Sequence, residues 1–421
     1  MKRILLPWLL GGVAWSAPLT LEEACQICLQ AQPRLQVMQA RVERSQAAEK
    51  ESWTPWNPRL ALDASYTFVT PSVSSSFFGQ TTVFQPNQNY LATLRLTQLL
   101  WNGGLYANQA KVRQWQVAIQ EERSRETRLQ VEEEAALQFL QTKAASENVR
   151  LNQQQVVQRK AQQLQSKLLF DKGTVPRYDV MRSEAEVARA EQELVESQRQ
   201  LQLRQSSLES LLQTTARELA DLAGPVAPAT DIPERYPLQE RPDLKLAALA
   251  LTETEARLEV ARSENSPSLT LQTEYNQRTA TVASPSYQWN TGVAFSWPLY
   301  DQGISSARAE QAEAELRELQ AQAREVERLA KLEIEQLHTD VATRYQAWKV
   351  ADKQCAVAHE AQRVATVRYE NGLSTQVERL DAELNYTRAL RDRINVRYEL
   401  AQAQCRLKRA LGLSQQEKDI L

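Results

Sequence analysis

FDKGTVPRYDVMRSEAEV, residues 170–187, interrupts a long run of helical sequence with a glycine and a proline, then resumes as helix. RYENGLSTQVERLDAEL, residues 368–384, has the same outline. Gly173 and Gly372 stand 199 positions apart, each three positions after an aromatic (Phe170, Tyr369) and six before an acid (Asp179, Glu378). A repeat of that length speaks of architecture before chemistry.

Working outward from the two glycines extends the repeat along the chain. Trp101-Asn102-Gly103-Gly104 answers Tyr300-Asp301-Gln302-Gly303, with 72 positions from each of these turns to its glycine. Pro33-Arg34-Leu35 answers Pro242-Asp243-Leu244, and Pro58 answers Pro267, with a helical pattern between the prolines of each half. The first half is longer only inside VTPSVSSSFFGQTTVFQPNQN (69–89), which reads as a longer loop. DLAGPVAPATDIPERYPLQERP, residues 221–242, is rich in proline and reads as a linker.

After the first tip, Val180, Val187, Leu194, Leu201 and Leu208 recur every seven residues, a coiled-coil seam. Before the second tip, Leu316, Leu319, Ala323, Val326, Ala330, Ile334, Leu337, Val341, Tyr345 and Trp348 step by three or four, which predicts a nearly straight helix. Helices this long reach roughly 100 Å at about 1.5 Å per residue and have no core of their own. Each half must therefore fold back as a hairpin at its glycine.

Between each second proline and the following turn the period changes to two. Leu60, Leu62, Ala64, Tyr66 and Phe68 alternate with Ala61, Asp63, Ser65 and Thr67; Tyr287, Trp289, Val293 and Phe295 alternate with Gln288, Asn290 and Ser296. The expected strands run over about 59–69, 90–101, 268–276 and 287–299, each with one apolar and one polar face. Their length suits a tilted membrane strand. A soluble antiparallel sheet shows the same alternation, but its apolar face needs a covering layer, and the narrow helical seams are already committed to other helices. Four strands cannot close, so a barrel requires several chains.

Composition agrees. The 421 residues carry a formal net charge of −2 with 24% charged side chains, so no global field points to nucleic acid. Eleven glycines among many Gln, Glu, Arg, Ala and Leu indicate long helices rather than a compact enzyme domain. Two histidines, His338 and His359, leave little material for a metal site. No nucleophile-base-acid set, phosphate loop or metal spacing occurs, so no enzyme, cofactor or metal is expected.

MKRILLPWLLGGVAWSAPLT combines Lys2 and Arg3 with an apolar run and a small-residue end, which reads as a signal peptide over 1–16. An exported chain with four cysteines invites a disulfide reading. Cys25 and Cys28 of CQIC are expected to be structural, paired or free. Cys355 and Cys405 lie at unequal distances from Gly372, offset by roughly 24 Å in an antiparallel hairpin, and are expected to stay unbridged.

The order helix, strand, strand, long helix, tip, long helix, given twice, with the tips FDKGTVPRYDV and YENGLSTQVER and the strand-ending WNGG and YDQG, resembles the TolC-like outer membrane efflux proteins. The resemblance implies an α+β membrane protein: a homotrimer in which each chain gives four strands to a 12-stranded β-barrel in outer membrane lipid, continued by an α-helical coiled-coil tunnel through the periplasm. It implies a periplasmic adaptor (membrane fusion protein) and an inner membrane transporter as partners. On this reading residues 17–220 are the first repeat with its tip at 171–179, 243–413 the second with its tip at 370–378, and 414–421 a C-terminal tail.

The resemblance also implies a gate. In the family, acids six and nine positions past the second tip glycine constrict the tunnel, and these are Glu378 and Asp381 here. The gate tyrosine matches Tyr369 and the first-tip acid matches Asp179, while Ser374 stands where the family has a gate arginine. Helix-start acids favoured by the dipole are the plainer reading of Glu378 and Asp381. The tips, Gly173, Thr174, Val175 and Pro176 with Gly372, Leu373, Ser374 and Thr375, are the expected adaptor-docking surface. The expected function is an outer membrane channel-tunnel of a tripartite export system for small molecules or proteins. The alternative is a periplasmic coiled-coil adaptor or structural protein without a barrel.

Overall fold

The computed structural model describes residues 19–85, 87–214, 238–278 and 286–415. The expected signal peptide, residues 221–237 of the linker, and residues 279–285 and 416–421 lie outside them. Contacts divide the chain into two compact units, one of Met1–Gln36, Arg125–Arg241 and Arg328–Leu421, the other of Val37–Ser124 and Pro242–Glu327.

The chain opens with α1 (Leu21–Ala31) and α2 (Pro33–Ser52), then four strands, β1 (Arg59–Phe68), β2 (Val73–Phe77), β3 (Gln80–Gln85) and β4 (Gln88–Trp101). Two long helices follow, α3 (Leu105–Asp171) and α4 (Arg177–Leu212). The second half repeats the plan with α5 (Pro242–Ser263), β5 (Ser268–Arg278), β6 (Tyr287–Ser296), α6 (Ile304–Glu370) and α7 (Gln376–Ala410). The helices α3 and α6 are each 67 residues long.

In the second unit, β1, β4, β5 and β6 form one antiparallel sheet in that order. Leu62 pairs with Leu94, Leu94 with Tyr275 and Tyr275 with Trp289, so one face carries the apolar set across all four strands. β6 stops at Ser296, short of the expected 299, because Pro298 removes a ladder donor. The segment read as a plain longer loop is instead a hairpin of β2 and β3. Its turn, Phe78-Gly79, has φ of +48° and +80°, the positive pair that a two-residue hairpin turn requires. Sequence periodicity missed it because serine and threonine on both faces hide the alternation.

In the first unit, α1 docks on the long helices. Thr20 and Glu23 close a reciprocal cap at its start, and Gln32 Nε2 donates to the Leu211 carbonyl at 2.7 Å near its end. Its buried face, Ala24, Cys25 and Cys28, joins a core with Val131, Ala135 and Phe139 of α3, Leu208 and Leu212 of α4, and Tyr398 and Cys405 of α7. A second cluster joins Ile334 and Val341 of α6 to Leu400, Ala403 and Leu407 of α7. Of the expected seam on α4, Val187 and Leu208 are buried and Val180, Leu194 and Leu201 half-buried. All four cysteines are free and buried.

Candidate functional site

The two features that bear on function are the sheet of the second unit and the hairpin ends of the first. On the sheet, the apolar face is the exposed one. Leu62 is 70% exposed, Tyr66 65% and Trp289 66%, whereas Thr93 on the polar face is buried. The polar face is tied across strands. Arg95 of β4 reaches Glu274 of β5 at 2.5 Å and Asp63 of β1 at 3.5 Å, and Thr93 Oγ1 donates to Asn276 Oδ1 at 2.6 Å. A sheet that satisfies its polar side chains internally and presents leucine, tyrosine and tryptophan outward fits a hydrocarbon exterior. Among the described residues, no helix is long and apolar enough to cross a membrane.

The hairpin ends are built alike. At the first, the Gly173 amide donates to the Phe170 carbonyl at 2.8 Å and the Thr174 amide to that of Leu169 at 3.0 Å. At the second, Gly372 donates to Tyr369 at 3.0 Å and Leu373 to Arg368 at 2.8 Å. This is the Schellman closure, which places its C′ residue in left-handed backbone; φ is +75° at Gly173 and +72° at Gly372. The next helices start from extended residues, Pro176 before α4 and Thr375 before α7, with Thr375 Oγ1 accepting from the Glu378 amide at 3.3 Å. Around these closures Thr174, Pro176, Leu373 and Thr375 are exposed, and Val175 and Ser374 half-buried.

Of the expected gate residues, Glu378 and Asp381 stand exposed on the first turns of α7, and Asp179 is half-buried at the start of α4. None of the three forms an ion pair among the described residues. Tyr369 contacts its own hairpin: the Arg379 guanidinium lies 4.5 Å from its ring centroid, and Arg379 is buried. Among the described residues the Tyr369 hydroxyl has no hydrogen-bond partner. Ser374, where the family arginine would stand, has its hydroxyl without a partner among the described residues.

The sequence reading passed over the ties that join the first hairpin to the second. Arg159 of α3 and Glu383 of α7 form a buried pair at 3.3 Å, and Gln162 Nε2 donates to the same carboxylate at 2.7 Å. Further along, Arg391 Nη2 bonds both Asn152 and Glu193 at 3.1 Å. Asn148 donates to Asn395 at 3.1 Å, and the Tyr398 hydroxyl donates to Glu147. A signal was present: Asn152, Val156 and Arg159 step by four and three, and Leu380 and Glu383 by three, so these polar residues occupy positions that the helical period marks as covered.

The sequence pattern of the family described as outer membrane efflux protein matches residues 24–214 and 237–413. The pyoverdine export outer membrane protein OpmQ of Pseudomonas putida is 29% identical over 207 residues, 48% of this chain and 43% of that protein, so less than half of the relative's length is covered. The solved outer membrane protein VceC of Vibrio cholerae superposes with a TM-score of 0.77 at 20% identity, over 94% of this chain and 96% of that one. The Campylobacter jejuni CmeC outer membrane channel does so with a TM-score of 0.76 at 17% identity, over 99% and 96%. Both structures share the fold, and the family pattern takes in both halves from α1 past the end of α7; the chain belongs to the outer membrane efflux protein family, seated in the outer membrane with its helical part in the periplasm.

Proposed function

We propose that three copies of this chain close their four-stranded sheets into one twelve-stranded barrel and join their hairpins into a periplasmic tunnel, forming the exit duct of a tripartite export system. The observation that carries this reading is the sheet. Its outward face is apolar and exposed, and among the described residues the outer edges of its end strands β1 and β6 pair with no other strand. Unpaired strand edges cannot remain in hydrocarbon, where each polar group costs several kcal/mol. Membership of the family implies a trimeric channel working with export machinery, and the export role of the Pseudomonas relative supports the same assignment.

Within that assembly the hairpin ends meet a periplasmic adaptor, which links the duct to an inner membrane transporter. The exposed Thr174, Pro176, Leu373 and Thr375 are the first surface available to it. Glu378 and Asp381 constrict the opening, and the chain is a conduit rather than an enzyme. The cargo class is small molecules or proteins. Detergent-extracted protein should have the mass of three chains and conduct ions in a planar bilayer. A stable single-chain particle in lipid, or release of the protein from washed membranes by carbonate alone, contradicts the reading.

A further inference from the structure

On its helix side, the apolar face of the sheet ends in aromatic rings. Trp101 of β4 pairs with Leu269 and Leu269 with Phe295, and Trp297 follows two positions on. Trp53 stands just past the end of α2 and Tyr300 just before α6, and these aromatics are all exposed. Tryptophan and tyrosine so placed mark the level of lipid headgroups.

At this edge the face leads into a pocket. Leu94, Leu96 and Gln98 lie on one side of β4 because strand side chains alternate, so Gln98 belongs to the apolar face. Its Nε2 donates to the Trp56 carbonyl at 2.6 Å, which holds the short turn Thr54–Trp56 against that face. Pro55 of the turn is one wall of a cavity of about 450 Å³ between the end of α2, the start of α3 and the end of α5. The whole lining belongs to the unit that carries the sheet.

The pocket holds two opposite charges that the chain leaves unanswered. Arg113 of α3 is exposed, and its Nη1 donates to the neutral Gln116 at 2.9 Å. Glu51 of α2 is exposed as well, and among the described residues neither it nor Arg113 forms an ion pair, with each other or with any third group. Arg257, the other cation of the lining, is already held by Glu253 at 2.7 Å. Tyr106, half-buried, adds a hydroxyl on the sheet side of Arg113. The seven residues from Tyr106 to Arg113 span about 10 Å, and helical side chains lean toward the helix start, here the sheet end.

We infer that this pocket binds the headgroup of a phospholipid of the periplasmic leaflet that carries a primary ammonium, as phosphatidylethanolamine does. Arg113 and the Tyr106 hydroxyl take the phosphate, Glu51 takes the ammonium, and the acyl chains run along the apolar face past Trp101. The occupant is a lipid because the cavity opens from the edge of the membrane face. It is zwitterionic because the free charges are one of each sign: an anionic headgroup or a free phosphate leaves Glu51 without a cation, and a choline headgroup has no N–H to donate to it. The inference rests on the outer membrane seat of the sheet and is the same for one copy or three.

Native mass spectrometry of the full chain tests it, with the protein stripped of lipid in detergent and supplied with one phospholipid at a time. Phosphatidylethanolamine should bind at one molecule per chain, at least about tenfold more tightly than phosphatidylglycerol or phosphatidylcholine with the same acyl chains, the scale of one charge-assisted hydrogen bond. Arg113→Gln should abolish the tight site. Glu51→Gln should still bind phospholipid but treat ethanolamine and choline headgroups alike. Both variants should melt with the parent, since neither loses an ion pair, and the headgroup preference of the parent is read without any variant. Equal binding of the three lipids, or undiminished phosphatidylethanolamine binding in Arg113→Gln, overturns the site and leaves only lipid that coats the barrel. Inorganic phosphate that displaces the lipid at equal concentration makes it an anion site and overturns the lipid assignment. Release of the protein from membranes by carbonate overturns the membrane seat itself.

Discussion

Arg159 on the first hairpin and Glu383 on the second meet at 3.3 Å with side chains only 10% and 6% exposed, so the hairpins are tied by a charge pair removed from water. Removing one partner of such a pair leaves the other charge buried alone, at a cost of about 3–5 kcal/mol. Glu383→Ala should therefore destabilise the hairpins strongly, seen as earlier proteolytic cleavage within α3 and α7. Glu383→Gln still accepts from Gln162 and should cost less. The double variant Arg159→Met with Glu383→Leu should recover most of the loss, because it strands no charge. If Glu383→Ala leaves protease resistance unchanged, the pair carries no load.

The tip glycines act through backbone alone. A Cβ at Gly173 or Gly372 would meet nothing within 4 Å, yet φ at both is in the left-handed region. Gly173→Ala and Gly372→Ala should each cost about 1–2 kcal/mol, the penalty for a Cβ in that conformation. Asparagine at either place should cost less. Thermal unfolding of the detergent-solubilised protein measures both, and an alanine variant as stable as the parent would show that the closure does not persist.

Tyr369 should act through its ring. Arg379 lies against the ring face, and the hydroxyl has no partner among the described residues. Tyr369→Phe should leave stability and conductance close to the parent, whereas Tyr369→Ala removes the cation–π contact and uncovers the Arg379 guanidinium. A large effect of the phenylalanine variant would mean that the hydroxyl finds its partner on a neighbouring copy.

The thiols of the α1 docking site should be inert while α1 is seated. Burial pushes Cys25 up to about 12, Cys28 to about 11 and Cys405 to about 12, with nearby carboxylates adding to the shift. Thiolate is the reactive form, so at pH 8 each should react with a disulfide reagent at least about a hundredfold more slowly than a free cysteine. Denaturation should release the full reactivity of all four. Fast labelling of Cys25 or Cys28 in the native protein would show that α1 leaves its site.

The topology reading gives a further check. Ser75 lies on the β2–β3 hairpin and Thr174 on the exposed first tip. Cysteine at Ser75 should label on intact cells and cysteine at Thr174 only after the outer membrane is opened. Labelling in the reverse order would invert the chain in the membrane.

What the sequence made legible follows from what repeats within it. The tips at Gly173 and Gly372 and the strands around Leu62, Leu94, Leu271 and Val293 could be read because each has a partner elsewhere in the chain and a clear period. The β2–β3 hairpin has no counterpart among the described residues of the second half, and the serines and threonines in its sequence blur the alternation. The Arg159–Glu383 tie was hidden for a different reason: which residues of α3 face α7 depends on how the hairpins are rotated about each other, and that is set by packing rather than local pattern.

Glu378 and Asp381 remain the residues on which the gate reading turns. Both are exposed on the first turns of α7, neither is paired among the described residues, and Ser374 supplies no positive charge where the family has one. Three copies would gather six carboxylates around the opening, and like charges held close attract cations strongly, most of all where water is scarce. Channels in a planar bilayer should prefer cations and be blocked by multivalent cations added on the periplasmic side, more strongly at low salt because screening weakens the attraction. The variant with alanine at both positions should lose most of that block and part of the selectivity, while its thermal stability changes by no more than about 1 kcal/mol, the scale of a helix-start carboxylate. Block that persists undiminished in the double alanine variant would move the constriction elsewhere and leave Glu378 and Asp381 as acids that only start a helix.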